Sequence, residues 1–430
     1  MLTVCFATLG CKVNQVDTAY LNQSFTTRGY RVVPWPGPAD VCVINTCTVT
    51  ATADRQSRQM VHRARRFNPD SIVVVTGCGP ISGGGTPNAF DDADLVTGNV
   101  EKQDLIRLVD EARGAGPLRC VADVASVETV QAGGAYDLPG RTRAFLKVQD
   151  GCPAACTYCI VPVVRGPSRS VAPDVVIGAV RELVAAGRNE VVLTGIHLGL
   201  YGHDLQPASR LTALCERILR ETDLLRLRLS SIEPREVTAD LLHLMAGEPR
   251  LCPHLHIPLQ SGCDRILRAM NRPYDTALFA DAVARCRQEV DNITIGADVL
   301  TGFPGESEED FGETFAFLDR LRLPHLHVFP YSDRPGTPAS TMPDRVNRRE
   351  ARDRAKRLRD AARGYRHEFM ELQVGRVLPV LIERSETGFS EGLSRNYLPV
   401  AVQEVAHGEV PVEITAVDVE RLRLTGRGRE

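Results

Sequence analysis

The chain has 430 residues, of which 43% are hydrophobic and 24% charged, and its formal net charge is −3. This composition is ordinary for a globular protein with sizeable cores, and the length predicts two or three domains. No apolar run approaches the roughly 20 residues of a membrane span, and residues 1–10 lack the pattern of a signal peptide, so we expect a cytoplasmic protein with no membrane partner.

Residues 1–135 predict a small α/β domain with a parallel sheet. Apolar runs typical of buried parallel strands alternate with helix-like stretches. The strand-like runs are 3–7, 41–44 and 72–75, and the helix-like stretches are 15–28 and 50–67. We expect the glycine-rich stretch 79–87 to be a loop and 114–140, which is rich in small residues, to be a linker.

Three cysteines occupy equivalent places in this first domain. Cys11, Cys47 and Cys78, here called the first triad, each come shortly after one of the apolar runs. If those runs are neighbouring parallel strands, the thiols gather at the carboxyl edge of one sheet, where open α/β sheets bind ligands. Gly10 and Gly77 let the backbone approach a bulky inorganic group closely. The shared placement favours an iron–sulfur cluster with one open iron over three unrelated buried thiols.

Residues 136–371 change to repeated strand–helix units. The predicted strands are 144–149, 190–196, 225–232, 254–259, 293–300 and 325–331, and the predicted helices are 174–186, 211–221, 239–246, 276–289 and 307–321. Six such units favour a partial, open (β/α)6 barrel over a closed eightfold one. Active sites of such barrels lie at the carboxyl ends of the strands.

The loop after the first of these strands holds three more cysteines. Cys152, Cys156 and Cys159, here called the second triad, have the spacing C-x3-C-x-aromatic-C. Three thiolates on so short a loop can hold a 4Fe–4S cluster and leave its fourth iron open to a small molecule. A zinc knuckle or a redox thiol pair is the alternative, but zinc usually needs a second cysteine pair downstream, and the sequence has none.

The remaining cysteines lack such a setting. Thirteen cysteines in a chain of cytosolic type indicate metal binding or catalysis rather than disulfides. Cys5 and Cys42 lie inside strand-like runs, so we expect them in the core. The others that we expect to be structural are Cys120, Cys215, Cys252, Cys263 and Cys286.

Residues 372–430 predict a small β-barrel of the kind that binds oligonucleotides. Short strand-like runs at 376–384, 397–402 and 410–417 are separated by polar or glycine breaks. A barrel that only packs against its neighbour is the alternative. Two segments are basic: 344–376 has eleven Lys and Arg against six Asp and Glu, and 55–66 has five arginines and no acid. Such runs are usually solvated helix faces, but beside a candidate RNA-binding domain they favour nucleic acid.

Over nearly its whole length the sequence resembles the methylthiotransferases, a family of radical S-adenosylmethionine (SAM) enzymes. The second triad has the spacing of that superfamily, and the third domain is similar to the family's TRAM domain, an RNA-binding barrel. The matching segments are TLGCKVNQ from Thr8, NTCTVT from Asn45, TGC from Thr76, CIVP from Cys159, RGPSRS from Arg165, HIPLQSG from His256 and GFPGE from Gly302.

The resemblance implies methylthiolation at C2 of a modified adenosine in tRNA, with two 4Fe–4S clusters and SAM as cofactors. In the superfamily the open iron chelates SAM. Reductive cleavage of SAM then gives the 5′-deoxyadenosyl radical, which is needed to activate a strong aromatic C–H bond. The first triad would hold the cluster that carries the sulfur to be methylated. No catalytic residue is implied beyond the cluster ligands. The adenine would be splayed out of the anticodon loop to reach the barrel mouth.

The family has branches that act on isopentenyladenosine in tRNA, on threonylcarbamoyladenosine in tRNA, and on an aspartate of a ribosomal protein. The segments LGCKVNQ from Leu9 and SSIEP from Ser230 are similar to the threonylcarbamoyladenosine branch. Because threonylcarbamoyl adds a carboxylate and a hydroxyl, Lys12 is a candidate for binding the carboxylate. One segment departs from the family, which usually continues with Tyr-Ala-Gln after Cys78, whereas this chain has GPISGGG.

The resemblance also implies contacts to SAM. The candidate residues are Tyr158, Thr194, Gly195, Ser230, Glu233 and Asp298. Thr194 and Gly195 match the segment that meets the methionyl amino group, and Ser230 and Glu233 end the third strand, where ribose and carboxylate contacts are usual. Asp298 lies inside the fifth strand and is either a further contact or a satisfied core carboxylate.

The implied partners are the anticodon stem-loop of tRNA and an electron donor such as flavodoxin or ferredoxin, and we expect a monomer. Two other functions stay open. An electron-transfer iron–sulfur protein predicts fully ligated clusters, and a non-catalytic RNA-binding protein predicts degenerate ones, although all six ligand cysteines are present. SAM cleavage after anaerobic reduction separates both from the enzyme.

Overall fold

The first sheet is parallel and has six strands. The computed structural model describes residues 1–81, 90–127, 129–130, 134–136 and 142–429. The strands are β1 (Thr3–Thr8), β2 (Arg31–Val32), β3 (Val41–Thr46), β4 (Ile72–Gly77), β5 (Leu95–Thr97) and β6 (Leu118–Cys120), and the helices are α1 (Lys12–Thr27), α2 (Ala51–Phe67) and α3 (Leu105–Ala115). Their order across the sheet is β2-β1-β3-β4-β5-β6. Apolar side chains cover both faces, as the continuous apolar runs of the strands require.

The predicted strands and helices of this domain are confirmed, but the prediction of a linker over 114–140 is partly wrong. α3 continues to Ala115, and β6 is the edge strand of the sheet. Only the last two residues of α3 fall within this range, and β6 is short and half-exposed, so its apolar pattern is weak. Most of the predicted loop 79–87, as well as residues 128, 131–133 and 137–140 of the predicted linker, lies outside the described residues.

The central part of the chain forms an open barrel of six parallel strands. Its strands are β7 (Arg143–Lys147), β10 (Glu190–Thr194), β11 (Arg226–Leu229), β12 (His254–His256), β13 (Thr294–Thr301) and β14 (His325–Pro330), with a small ribbon of β8 (Gln149–Asp150) and β9 (Arg169–Ser170). The paired neighbours among the six barrel strands are parallel, whereas β8 and β9 are antiparallel. Isolated bridges such as Ser231 to His256 join β11 to β12, so the two three-stranded segments form one curved sheet. The prediction of a partial (β/α)6 barrel is confirmed.

Helices cover the outside of this sheet. They are α4 (Val161–Arg165), α5 (Pro173–Ala185), α6 (Leu211–Glu221), α7 (Ala239–Gly247), α8 (Asp264–Ala269), α9 (Thr276–Glu289), α10 (Glu308–Leu321) and α11 (Arg348–Glu371). The inner faces of α5, α6, α7, α9, α10 and α11 share one large apolar core with the strands, whereas α4 and α8 belong to two smaller apolar clusters. No helix among the described residues is both long and apolar enough to span a membrane.

The carboxyl-terminal segment forms a closed five-stranded barrel, as predicted. Its strands are β15 (Val377–Glu386), β16 (Phe389–Ser394), β17 (Pro399–Val402), β18 (Glu409–Asp418) and β19 (Arg423–Gly428). Their order is β15-β16-β17-β19-β18, and apolar side chains fill the interior. The domain boundaries at 135 and 371 remain a prediction.

This small barrel is seated on the amino-terminal ends of the central strands. The barrel floor consists of Arg143, Glu190, Arg226, Arg228 and His254, at or near the first residues of four central strands. Its buried charges pair with each other, since Arg226 Nε lies 2.8 Å and Arg228 Nε lies 2.7 Å from the carboxylate oxygens of Glu190. The turn before β17 places the Tyr397 ring on His254, with ring centres 4.2 Å apart. The floor is therefore closed by a residue of the third domain.

Candidate active site

The sheet order brings the first triad to one edge. Cys11, Cys47 and Cys78 follow β1, β3 and β4, which are adjacent strands. Gly10 has φ +96°, and a Cβ there would lie 2.7 Å from the Cys47 Sγ atom. Only glycine allows this close approach, since a side chain would occupy the space of the thiol. The structure thus gathers the three cysteines as the sequence predicts.

The thiols of the first triad differ in exposure. Cys11 is exposed, whereas Cys47 and Cys78 are buried. Burial raises the pKa of Cys47 to about 12, so this thiol is protonated at neutral pH in the protein alone. A metal binds the thiolate and displaces the proton, so ligation would release protons.

The second triad lies on the loop that leaves β8. Gly151 has φ +77°, and a Cβ there would meet the Pro167 carbonyl oxygen at 1.8 Å, which no other residue tolerates. The loop is held to the segment after α8, because the Thr157 N–H donates to the Met270 carbonyl at 3.1 Å. Burial raises the pKa of Cys159 to about 12. The loop is thus fixed at the carboxyl ends of the strands, where the sequence predicts the active site.

Two side chains that the sequence analysis did not single out contact sulfur atoms of the second triad. Arg272 Nη1 lies 3.1 Å from Cys156 Sγ, and the same guanidinium forms an ion pair with Glu233. His197 Nδ1 lies 3.3 Å from Cys152 Sγ. These contacts join elements far apart in the chain, and no local sequence pattern signals them.

His197 is held on its other side by a carboxylate. Its Nε2 lies 2.6 Å from Glu236 Oε1, and its backbone N–H donates to Gln149 Oε1 at 2.9 Å. Burial alone would lower the pKa of His197, but Cys152 and Glu236 raise it to about 10. The imidazole is therefore charged at neutral pH when it faces the thiol.

The two triads meet through a short helix. Ile160 directly follows the second triad, Val164 lies five residues after it, and both pack against Cys78 of the first triad. Asn99 donates to the Val164 carbonyl at 2.8 Å, and its amide nitrogen lies 3.6 Å from Cys78 Sγ. The carboxyl edge of the first sheet thus faces the loop that begins the central barrel.

A buried ionic network fastens the same interface. Asp17 of α1 contacts the ammonium groups of Lys102 at 2.6 Å and Lys147 at 2.5 Å. Arg165 donates to both oxygens of Asp150, at 3.0 and 2.9 Å, and approaches Asp17 at 3.3 Å. All five side chains are buried, and they comprise three cations and two carboxylates. The network joins the first domain to the barrel beside both triads.

Most residues predicted to contact SAM lie at the same edge. Thr194 is buried at the end of β10, and Ser230 directly follows β11. The Ser230 hydroxyl is buried and has no hydrogen-bond partner among the described residues. Gly195 has no room for a side chain, since a Cβ would lie 2.7 Å from Gln149 Oε1. Tyr158 packs beside the apolar cluster behind the cysteine loop.

Asp298 lies apart from this edge, in the middle of β13. His256 Nε2 lies 3.1 Å from one of its oxygens, and His327 Nδ1 lies 3.4 Å from the other. Burial alone would raise the pKa of Asp298, but the two histidines hold it well below its usual value. Both oxygens are occupied, which favours the predicted alternative of a satisfied carboxylate.

The basic segments are exposed faces of helices. In α2, Arg58 and Arg65 pair with acids, whereas Arg55, Arg63 and Arg66, here called the arginine stripe, are exposed. None of the three has an ion pair among the residues that the structure describes. Their spacing places them on one face of the helix.

Comparisons with known proteins match both halves of the site. The family description "Uncharacterized protein family UPF0004" matches residues 3–98, and "Radical SAM superfamily" matches residues 146–318. The first range holds the first triad, and the second range holds the second.

Several curated proteins are similar along most of the chain. A threonylcarbamoyladenosine tRNA methylthiotransferase MtaB of Bacillus subtilis is 37% identical, covering 93% of this chain and 90% of the relative. The protein of the same name from Aquifex aeolicus is 37% identical, covering 93% and 96%. A tRNA-2-methylthio-N(6)-dimethylallyladenosine synthase of Thermobifida fusca is 35% identical, covering 88% and 77%.

Solved structures share the fold at low identity. TsrM, a radical SAM methyltransferase of Kitasatospora setae, superposes with a TM-score of 0.60 at 16% identity, covering 79% of this chain and 75% of that one. OxsB, a cobalamin-dependent SAM radical enzyme, has a TM-score of 0.54 at 12% identity, covering 86% and 56%. At such identities the likeness concerns the fold alone.

Proposed function

This chain belongs to the radical SAM methylthiotransferase family, and we propose that it methylthiolates C2 of N6-threonylcarbamoyladenosine next to the anticodon of tRNA. The observation that carries the proposal is the meeting of the two triads at one interface. Cys78 of the first triad packs there against Ile160, the residue directly after Cys159 of the second triad. A protein that only bound RNA would have no need of this arrangement.

The cofactors of the family are an iron–sulfur cluster and SAM, and the finer proposal is two 4Fe–4S clusters. The donor sets fit: each triad offers three thiols and leaves one iron of a cubane without a protein ligand. When bound, these groups supply one-electron cleavage of SAM and hence the radical chemistry that an aromatic C–H bond requires. The first triad would hold the cluster that carries the transferred sulfur.

The chain's own residues would bind and orient SAM. Ser230 has a buried hydroxyl without a partner among the described residues, and it lies at the edge that holds the second triad. A buried hydroxyl without a partner is costly, so we assign it a hydrogen bond to SAM. Tyr158, Thr194 and Gly195 line the same edge. Asp298 and Glu233 are engaged by protein groups, which makes direct contact to SAM a weaker proposal for these two.

For the RNA, we propose that the carboxyl-terminal barrel and the arginine stripe bind phosphates. The barrel is of the kind that binds oligonucleotides, and the stripe is cationic and exposed. α2 begins at Ala51, four residues after Cys47, so RNA bound along it would be held beside the first triad. A one-electron donor such as flavodoxin or ferredoxin and a monomeric state complete the proposal.

The choice of threonylcarbamoyladenosine rests on the relatives and on Lys12. Relatives that carry that name reach 37% identity over more than nine-tenths of the chain. Lys12 begins α1 at the interface; burial lowers its pKa, and it lies near Tyr397, Arg143 and Arg228. A site with such cationic and hydrogen-bonding groups suits a carboxylate and rejects a purely apolar analogue.

The experiment is a competition between two tRNA substrates. Anaerobically reconstituted enzyme receives SAM, a reductant, and equal amounts of threonylcarbamoyl and isopentenyl tRNA, and the nucleosides are analysed by mass spectrometry. We expect a gain of the methylthio group on the threonylcarbamoyl nucleoside and little or none on the other.

The alternative is the isopentenyl branch, because a dimethylallyladenosine synthase is 35% identical to this chain. Preferential modification of the isopentenyl tRNA, or of a ribosomal protein, would show that the branch is wrong while the chemistry stands. Absence of SAM cleavage by the reduced enzyme would overturn the enzyme class itself.

A further inference from the structure

Arg272 is a charged side chain that links Cys156 of the second triad to the rest of the site. Its Nη1 lies 3.1 Å from Cys156 Sγ, and its Nη2 forms an ion pair with Glu233. The Tyr274 ring lies under the guanidinium at 4.8 Å, and the Tyr274 hydroxyl accepts a hydrogen bond from Arg272 Nε at 3.0 Å. The side chain is 5% exposed. Arg272 is therefore fixed in one position with a hydrogen-bond donor directed at the sulfur.

The same turn of chain fixes the partner of a second sulfur. Glu233 and Glu236 form a capping box around the 3₁₀ turn that follows β11. Glu233 holds Arg272 against Cys156, and Glu236 holds His197 against Cys152. One rigid turn thus sets the position of two side chains that contact the triad.

A hydrogen bond and a positive charge at a cluster ligand have a defined physical effect. The reduced cluster carries one more negative charge than the oxidised cluster, so a nearby cation stabilises the reduced form more. Hydrogen bonds to the sulfur atoms and net charge are among the features that set the potentials of iron–sulfur clusters. Arginine stays charged at all accessible pH values, so its effect does not depend on titration.

We propose that Arg272 is a positioning residue that holds Cys156 in place and raises the reduction potential of the cluster bound by the second triad, with Glu233 moderating its charge. The proposal rests on the proposed function, since it requires a cluster at this triad. In the step concerned, one electron enters the cluster from a one-electron reductant, and no covalent bond forms or breaks. A role in packing alone would affect stability and iron content but not the potential.

The test is a redox titration of the reconstituted full-length enzyme without SAM, using dithionite and mediators. The cluster of the second triad is identified as the one whose EPR signal changes when SAM is added. In Arg272→Gln we expect the equilibrium constant for reduction to fall at least tenfold, which is about 59 mV for a one-electron couple. Arg272→Lys keeps the charge but loses the planar fork, so its shift should be smaller.

Glu233→Gln should change the potential in the opposite direction. It leaves the guanidinium without its carboxylate, so the cluster faces a stronger positive charge and becomes easier to reduce. The matched control is Arg268→Gln, which removes an exposed arginine from the end of α8, four residues before Arg272, and should leave the potential unchanged. If Arg272→Gln does not retain iron, Arg272→Lys and Glu233→Gln carry the test.

An Arg272→Gln enzyme that retains its iron and has the wild-type potential would overturn the proposal. So would a Glu233→Gln shift in the same direction as that of Arg272→Gln. These outcomes are separate from a failure of the proposed function. An enzyme that cleaves SAM but modifies no threonylcarbamoyl tRNA would refute the substrate and leave the role of Arg272 intact.

Discussion

Asp17 of α1 offers the most direct test of how the two folds are joined. Its carboxylate lies within 3.3 Å of three cations from other elements, Lys102, Lys147 and Arg165. The Asp17→Asn variant keeps the shape of the side chain but removes its charge. Three buried cations are then left with one carboxylate, Asp150.

Removing one partner of a buried ion pair usually costs about 3–5 kcal/mol, because the remaining charge stays buried and unpaired. We expect a loss of that size, which is a large fraction of the about 5–15 kcal/mol that stabilises a typical domain. Burial alone would raise the pKa of Asp17, but the three cations hold it well below its usual value. The stabilisation is therefore present above about pH 4, the pKa of Asp in the unfolded chain, and is lost as the pH falls below it.

The measurement is anaerobic urea unfolding of the reconstituted chain, followed by circular dichroism and by the fluorescence of its single tryptophan, Trp35, in the first domain. The matched control is Glu111→Gln, which breaks an exposed pair with Arg107 on α3 and should cost at most about 1 kcal/mol. Equal unfolding midpoints for Asp17→Asn and the control would refute the reasoning. The reasoning would also be refuted if Asp17→Asn lost as much stability below pH 4 as the wild-type chain does.

Three further outcomes are expected. Wild-type enzyme should hold about eight irons, and a count near four would exclude two clusters. Replacing the second triad by alanine should remove half of the iron and abolish SAM cleavage. Replacing the first triad should remove the other half and leave SAM cleavage that is not coupled to methylthiolation. Replacing the arginine stripe by glutamine should weaken tRNA binding and reduce the magnitude of the slope of log K against log salt concentration by about 2–3. The control is the double variant Arg107→Gln, Arg113→Gln, which removes two ion-paired arginines of α3 and should change neither the affinity nor the slope. Deleting residues from Val374 onward should weaken tRNA binding. It should also lower the urea midpoint of the remaining chain, because Arg226 loses its hydrogen bond to the Leu393 carbonyl at 3.0 Å. An unchanged tRNA affinity would show that the small barrel serves only in packing.

Features with short, local patterns could be predicted from the sequence. The cysteine spacings are such patterns, and so are the apolar runs that precede Cys11, Cys47 and Cys78. α11 was not predicted, although its buried residues have helical spacing. They are Ala351, Arg354, Ala355, Leu358, Ala362, Tyr365 and Met370. Eleven basic residues in 344–376 obscure that narrow apolar stripe, and the helix packs against β13, β14, β18 and α10.

Contacts between distant segments could not be predicted. Arg272 is 116 residues from Cys156, and Asp17 is 130 residues from Lys147. Each contact depends on how one segment packs against another that is distant in the chain, and charge or apolar periodicity within one segment carries no information about that. The predicted contacts of Tyr158, Thr194 and Ser230 with SAM remain predictions for the same reason.

The small barrel packs against the floor of the central barrel, and this position has a consequence for how RNA is recognised. The second triad lies at the opposite ends of these strands, and an eight-residue strand such as β13 is about 26 Å long. Because the small barrel reaches the central one through Tyr397, which stacks on His254 at the floor, RNA held by the small barrel would have to extend over that length to reach the second triad. The protein would then act as a molecular ruler, which selects a base by its distance from the bound stem as well as by its chemistry.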